Sequence, residues 1–128
     1  MFLGLRTIVY PAADLAASKK WFSALLGIEP YFDEPYYVGY EVGGYELALQ
    51  PADRVGPAPV TYWGVADADA ALARLLASGA LTHSEVREVG GGIRVATVQA
   101  PDGNVLGIIE NPYFSLPADP VTGPGPGR

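Results

Sequence analysis

The chain has 128 residues, 49% of them hydrophobic, which suits a single domain with a core of its own. It contains no cysteine and one histidine, so disulfides, thiolate metal sites and cysteine nucleophiles are excluded, and any metal would rest mainly on carboxylates. With 8 Lys+Arg the formal charge is −6, which argues against a nucleic-acid or anionic-membrane partner.

The opening FLGLRTIVY is a strand-like run rather than a leader with a basic region, and no apolar stretch is long enough to span a bilayer. A cytoplasmic protein is expected. Leu5 to Tyr10 is β-branched and aromatic and predicts a buried strand. Asp14 reads as a helix N-cap. From Ala16 to Leu26 the spacing is helical, with Trp21, Phe22, Leu25 and Leu26 expected on the buried face and Ser18, Lys19 and Ser23 toward water. Gly27 supplies the left-handed stop. Short strands are predicted around Pro30 to Phe32, Tyr36 to Val42 and Tyr45 to Gln50, the last two joined by a Gly43-Gly44 hairpin turn.

PADRVGPAP, residues 51 to 59, is a Pro-rich connection, after which the pattern starts again. Val60 to Val65 reads as a strand. Asp67 caps a helix whose inner face is Ala68, Ala71, Leu72, Leu75 and Leu76, ending near Gly79. Strands follow around His83 to Val89, Ile93 to Gln99 and Val105 to Ile109, with turns at Gly90-Gly91-Gly92 and Pro101-Asp102-Gly103. The tail LPADPVTGPGPGR, from Leu116, is rich in Pro and Gly and has the composition of a loosely attached segment. Strand, helix and three strands thus occur twice, and PAADLAASKKWFSALLG echoes GVADADAALARLLASGA. Repetition at half the chain length predicts two similar modules, about 1–50 and 60–112, packed into one α+β domain.

This duplicated βαβββ order, with an Asp-capped helix in each half and the turn PDGN before the last strand, resembles the vicinal oxygen chelate superfamily of glyoxalases, bleomycin resistance proteins and extradiol dioxygenases. The resemblance covers residues 2 to about 112 and is strongest in ADLAASKKWFSALLGIEP and PDGNVLGIIENP. It implies a curved, eight-stranded half-barrel with a ligand or metal in its concave channel, and a homodimer in many members. Metal-dependent members place a ligand on each of four strands. The first is seven residues before the first capping aspartate, here Thr7, and the second matches Glu46 in YELALQP. The third, counted back in the same way from Asp67, is Val60. The fourth is five residues after the aspartate of the PDG turn, here Gly107. One carboxylate in four positions implies no metal and no other cofactor at the family's usual site.

Gly107 is therefore a question in itself, because a glycine inside a strand packs nothing and weakens it. Glu110 is excluded as a substitute ligand because strand side chains alternate, which sends residues 107 and 110 to opposite faces. By the same alternation Thr7, Glu46 and Tyr62 line the channel, with Tyr37 as a further candidate, while Trp63 and Val65 face the second helix. Glu46 could accept from a ligand or serve as a general base; the plainer alternative is a solvated carboxylate after a turn. Tyr36, Tyr40 and Tyr45 are more economically explained as sheet packing, His83 as a rim residue, and Arg94 as either a cavity cation or a solvated side chain. The functional expectation is a metal-free, bleomycin-resistance-like protein that binds a small organic molecule. The alternatives are a metal-independent lyase, isomerase or hydrolase using Glu46, or a metal enzyme with unusual ligands.

Overall fold

The computed structural model describes residues 1–114, so the predicted Pro/Gly-rich tail from Leu116 lies outside the described residues. In chain order the elements are β1 (Gly4–Ala12), α1 (Leu15–Leu26), β2 (Phe32–Glu34), β3 (Tyr37–Val42), β4 (Tyr45–Pro51), α2 (Ala52–Val55), β5 (Val60–Gly64), α3 (Ala68–Ala77), β6 (Leu81–Gly90), β7 (Ile93–Gln99) and β8 (Val105–Glu110). The connection after β4 thus holds one short helical turn, α2, that its Pro-rich composition did not announce.

The eight strands form one curved sheet in the order β2-β3-β4-β1-β5-β8-β7-β6. The pairs β1–β4 and β5–β8 are parallel, and β1–β5 is antiparallel at the centre. α1 and α3 both pack on one side, which leaves the other side open. Each begins where predicted: Asp14 accepts from Ala17 N–H and Asp67 from Ala70 N–H, both at 3.1 Å, offsetting an orphan donor of the first turn. Gly27 closes α1 with φ 69°.

Under α3 the core is Val65, Ala68, Ala71, Leu72, Ala80, Ala96, Val98 and Ile108. Leu76, expected with them, is on the exposed flank. Under α1 the buried residues are Val38, Tyr40 and Leu49, joined by Tyr10, Leu15, Phe22, Leu26 and Leu47. Here the helix is turned from the expected orientation. Trp21 and Leu25 are exposed, at 60% and 62%, whereas Ser18, Lys19 and Ser23 fall on the inward stripe with Leu15, Phe22 and Leu26. The cause is Tyr40, whose ring is fully buried and whose hydroxyl must find a partner. It donates to the Lys19 carbonyl at 3.0 Å and accepts from Ser23 Oγ at 2.8 Å. A polar seam on the helix is therefore drawn inward, and Trp21 stands edge-on to Phe22 at the flank.

Candidate functional site

Residues opposite one another in a sheet share a face. Thr7 lies opposite Glu46 on one side and Tyr62 on the other; Tyr62 lies opposite Gly107, Gly107 opposite Thr97, and Thr97 opposite Ser84. One line of side chains thus crosses the open face from β4 to β6. Thr7, Glu46, Tyr62 and Gly107 are its four central positions. Val60, counted as the third from the sequence, pairs with Val9 instead and sits one step away. The reason is strand length. β1 continues to Ala12 before its cap, whereas β5 stops at Gly64, so the same count from the aspartate overshoots by two residues.

Glu46 is the hub of the first half of this line. Its Oε1 accepts from Tyr37 OH at 2.7 Å and from Thr7 Oγ1 at 3.1 Å, and its Oε2 accepts from Tyr31 OH. Thr7 is buried and Glu46 half-buried. A Cβ at Gly39 would lie 2.8 Å from Glu46 Oε2 and 3.1 Å from the Tyr31 ring, so this glycine on β3 is what lets the carboxylate and the two phenols converge. Desolvation at the hydroxyl holds both phenols protonated well above their ordinary range, in Tyr37 on a half-buried ring and in Tyr31 on a ring that is otherwise 64% exposed, and the adjoining Glu46 carboxylate pushes them further the same way. They are donors, not bases. Tyr37 was anticipated by alternation. Tyr31 was not: the strand predicted around Pro30 to Phe32 forms instead at Phe32–Glu34, which leaves Tyr31 just ahead of it, pinned by its N–H to the Gly39 carbonyl at 2.9 Å.

Gly107 is explained by Tyr62. A Cβ built on Gly107 would meet ring carbons of Tyr62 at 2.3 and 2.4 Å. The tyrosine ring lies flat on the strand where a side chain would otherwise stand. Burial raises the Tyr62 phenol, and the nearby positive charge of Arg87 partly opposes that rise. Beyond Gly107 the line ends in a small polar group: Thr97 Oγ1 is hydrogen-bonded to His83 Nδ1 at 2.8 Å and to Ser84 Oγ at 2.7 Å. His83 itself is exposed at the rim.

Arg94 and Glu110 are on the helix-bearing face, which resolves the two readings of Arg94 against a channel role. Arg94 is 2.8 Å from Asp69 and 3.6 Å from Glu110, and Glu110 accepts from Ala68 N–H at 2.8 Å at the start of α3. Glu110 is a helix anchor, as alternation required. An open depression also lies on that side, along α1 past Lys19, Ser23 and Glu29, away from Glu46.

A divalent ion of the kind used by metal-dependent glyoxalases does not fit the central four residues. They offer one carboxylate, already accepting three hydroxyl protons, one threonine hydroxyl, one protonated phenol and a glycine. Among the described residues no group of three or more His, Cys, Asp or Glu side chains converges for a metal.

The family model for a glyoxalase-like domain matches residues 7–109. The chain belongs to the glyoxalase-like family. Its fold is that of the glyoxalase/bleomycin resistance/dioxygenase superfamily. Solved structures similar to it include a Streptomyces coelicolor methylmalonyl-CoA epimerase variant with 2-nitronate-propionyl-CoA (17% identity, TM-score 0.72, covering 91% of this chain and 100% of that one). A glyoxalase/bleomycin resistance protein/dioxygenase superfamily member from Vibrio splendidus 12B01 is also similar (20% identity, TM-score 0.67, 83% and 97%). So is the Mn(II)-bound glyoxalase from Novosphingobium aromaticivorans (21% identity, TM-score 0.71, 92% of this chain and 42% of that one). At these identities the likeness is one of fold. Comparison with curated proteins finds no match. Among the described residues of this family member, no helix is long and apolar enough to cross a membrane.

Proposed function

We propose that this chain binds a small organic molecule on the open face of its sheet without the help of a metal ion. Thr7, Glu46, Tyr37 and Tyr62 are the contact residues. The observation that carries the reading is the replacement of a metal's donor set by an internal hydrogen-bonded one. Three hydroxyls engage Glu46, and the Tyr62 ring overlies Gly107. What remains is a phenol edge and a flat ring over the buried apolar residues Val9, Ala48 and Val60, a setting with few charges that suits an organic ligand. The similarity in fold to an epimerase variant in complex with 2-nitronate-propionyl-CoA supports an organic ligand for this fold.

A base role for Glu46 is the weaker reading, because three hydroxyls already donate to its oxygens and hydrogen bonds to a carboxylate lower its basicity. The test is a thermal-shift screen of small aromatic and antibiotic-like compounds. A compound that binds only the native state raises Tm. The reading expects hits whose effect disappears in Tyr62→Ala and persists in excess chelator. Hits that require an added divalent ion would overturn it. The homodimer is also a proposal, tested by light scattering on the purified chain.

A further inference from the structure

Arg6 is the residue left over at a bulge. The β1–β5 register runs Leu5 to Trp63 and then Thr7 to Tyr62, so Arg6 has no partner on β5. Its guanidinium folds over Gly64, where a Cβ would lie 2.6 Å from Nε and 2.7 Å from Cζ. Gly64 does not have the positive φ that would demand glycine. It is the room it leaves that matters. Two residues from Tyr62 on β5, Gly64 belongs to the open face, so the guanidinium lies there too. The Phe114 ring covers the guanidinium's other side, 3.8 Å from Cζ.

A side chain sandwiched in this way has already lost most of its rotamer freedom, yet its donors are barely used. Among the described residues it makes one long contact, 3.4 Å, to the carbonyl of Leu5, and no carboxylate is within ion-pairing distance. A second guanidinium faces the same area. Gly64 is opposite Ile109, Ile109 opposite Val95, and Val95 opposite Arg87. Arg87 also has no ion-pair partner among the described residues. Three strand spacings, about 14 Å of backbone, separate the two ends of this row. Ile109 and Val95 form an apolar floor between them, beside the Tyr62 ring.

We propose that this end of the channel recognises an oxyanion: the ligand is a small, flat organic molecule whose carboxylate or phosphate is received by Arg6 and Arg87 while its body lies on Ile109, Val95 and Tyr62. A guanidinium fork matches either group with two parallel hydrogen bonds, and a pre-positioned fork spends less entropy on binding. The assignment rests on the channel-binding reading above and adds the ligand's charge, opposite to what a net charge of −6 would suggest for the molecule as a whole.

The test is a nuclear magnetic resonance titration of the 15N-labelled full chain with benzoate, phenyl phosphate and neutral benzamide at fixed ionic strength, following backbone amides and arginine Nε–H signals. One or both anions should shift the Arg6 and Arg87 Nε–H signals and the Tyr62–Gly64 amides saturably, with benzamide at least tenfold weaker. The preferred anion distinguishes carboxylate from phosphate. Arg6→Gln should lower anion affinity tenfold or more and leave benzamide unchanged. Gly64→Ala should do the same by displacing the guanidinium, while its amide spectrum remains that of a folded chain. Equal affinity for benzoate and benzamide, or anion affinity unaltered in both Arg6→Gln and Arg87→Gln, overturns the oxyanion assignment and leaves the channel reading standing. So does an uncharged screening hit that protects the fold when no probe shifts Arg6. Failure of every screened compound and every probe overturns both.

Discussion

Gly107→Ala isolates the reason for a glycine in the middle of β8. The added methyl would have to occupy space 2.3 Å from one Tyr62 ring carbon and 2.4 Å from another, well inside van der Waals contact. Nothing in the backbone opposes alanine, since the φ of Gly107 is not positive. Alanine alone should stabilise by about 0.4–1 kcal/mol through the unfolded chain. Forcing the ring aside costs about 1–3 kcal/mol, as overpacking does. The ring clash therefore wins, with a net loss of up to about 2.6 kcal/mol, and each kcal/mol lowers Tm by about 3–5 °C at 128 residues, between the values for smaller and larger domains. With Tyr62→Ala in the background the clash is gone, and Gly107→Ala should become neutral or mildly stabilising. The coupling, read from urea midpoints at unchanged m, should be about 1–3 kcal/mol. Equal effects in the two backgrounds, or a gain in stability with Tyr62 present, would refute the claim that the glycine exists for the ring.

Glu46→Ala removes the acceptor for three hydroxyls, of which Thr7 is buried. A loss of about 1–3 kcal/mol is expected by urea denaturation, with Glu46→Gln costing less because one acceptor oxygen survives. Tyr31 and Tyr37 give an alkaline signature. Their folded-state pKa values are raised from 10.0, so the stability they contribute is complete below about pH 10 and is lost as pH rises through the folded values. Phenolate absorbance of the native chain at about pH 11 should fall short of the unfolded chain's by at least these two of its eight tyrosines, and Glu46→Ala should recover part of the deficit. A native curve identical to the unfolded one would contradict the burial of Tyr37 and the hydrogen bonding of both phenols to Glu46.

Strand alternation has a strict period of two, which is why Thr7, Glu46 and Tyr62 could be placed on the open face and Glu110 on the other from sequence alone. The helix caps at Asp14 and Asp67 and the turn glycines were equally legible, because their chemistry is local. What escaped depends on contacts remote in sequence. The rotation of α1 is set by the hydroxyl of Tyr40 on another element, so the apolar count over Trp21 and Leu25 pointed to the wrong stripe. Val60 was counted by a rule that assumes equal strands, and β1 outruns β5. Arg6 was hidden by a bulge, which breaks the alternation that would have sent it to the helix side. Tyr31 falls just before β2, which starts later than predicted, and its meeting with Glu46 is made possible by Gly39, eight residues later. The clearest sequence trace of the site was negative: glycines at 39, 64 and 107 mark the places where another residue's side chain lies against the sheet.

The most direct check on the metal-free account is calorimetric titration of chelator-treated protein with Mn2+, Ni2+ and Zn2+, paired with elemental analysis of protein purified without chelator. The account predicts well under one equivalent of any transition ion and no heat that depends on Glu46. One tightly bound ion per chain, abolished by Glu46→Ala, would contradict it.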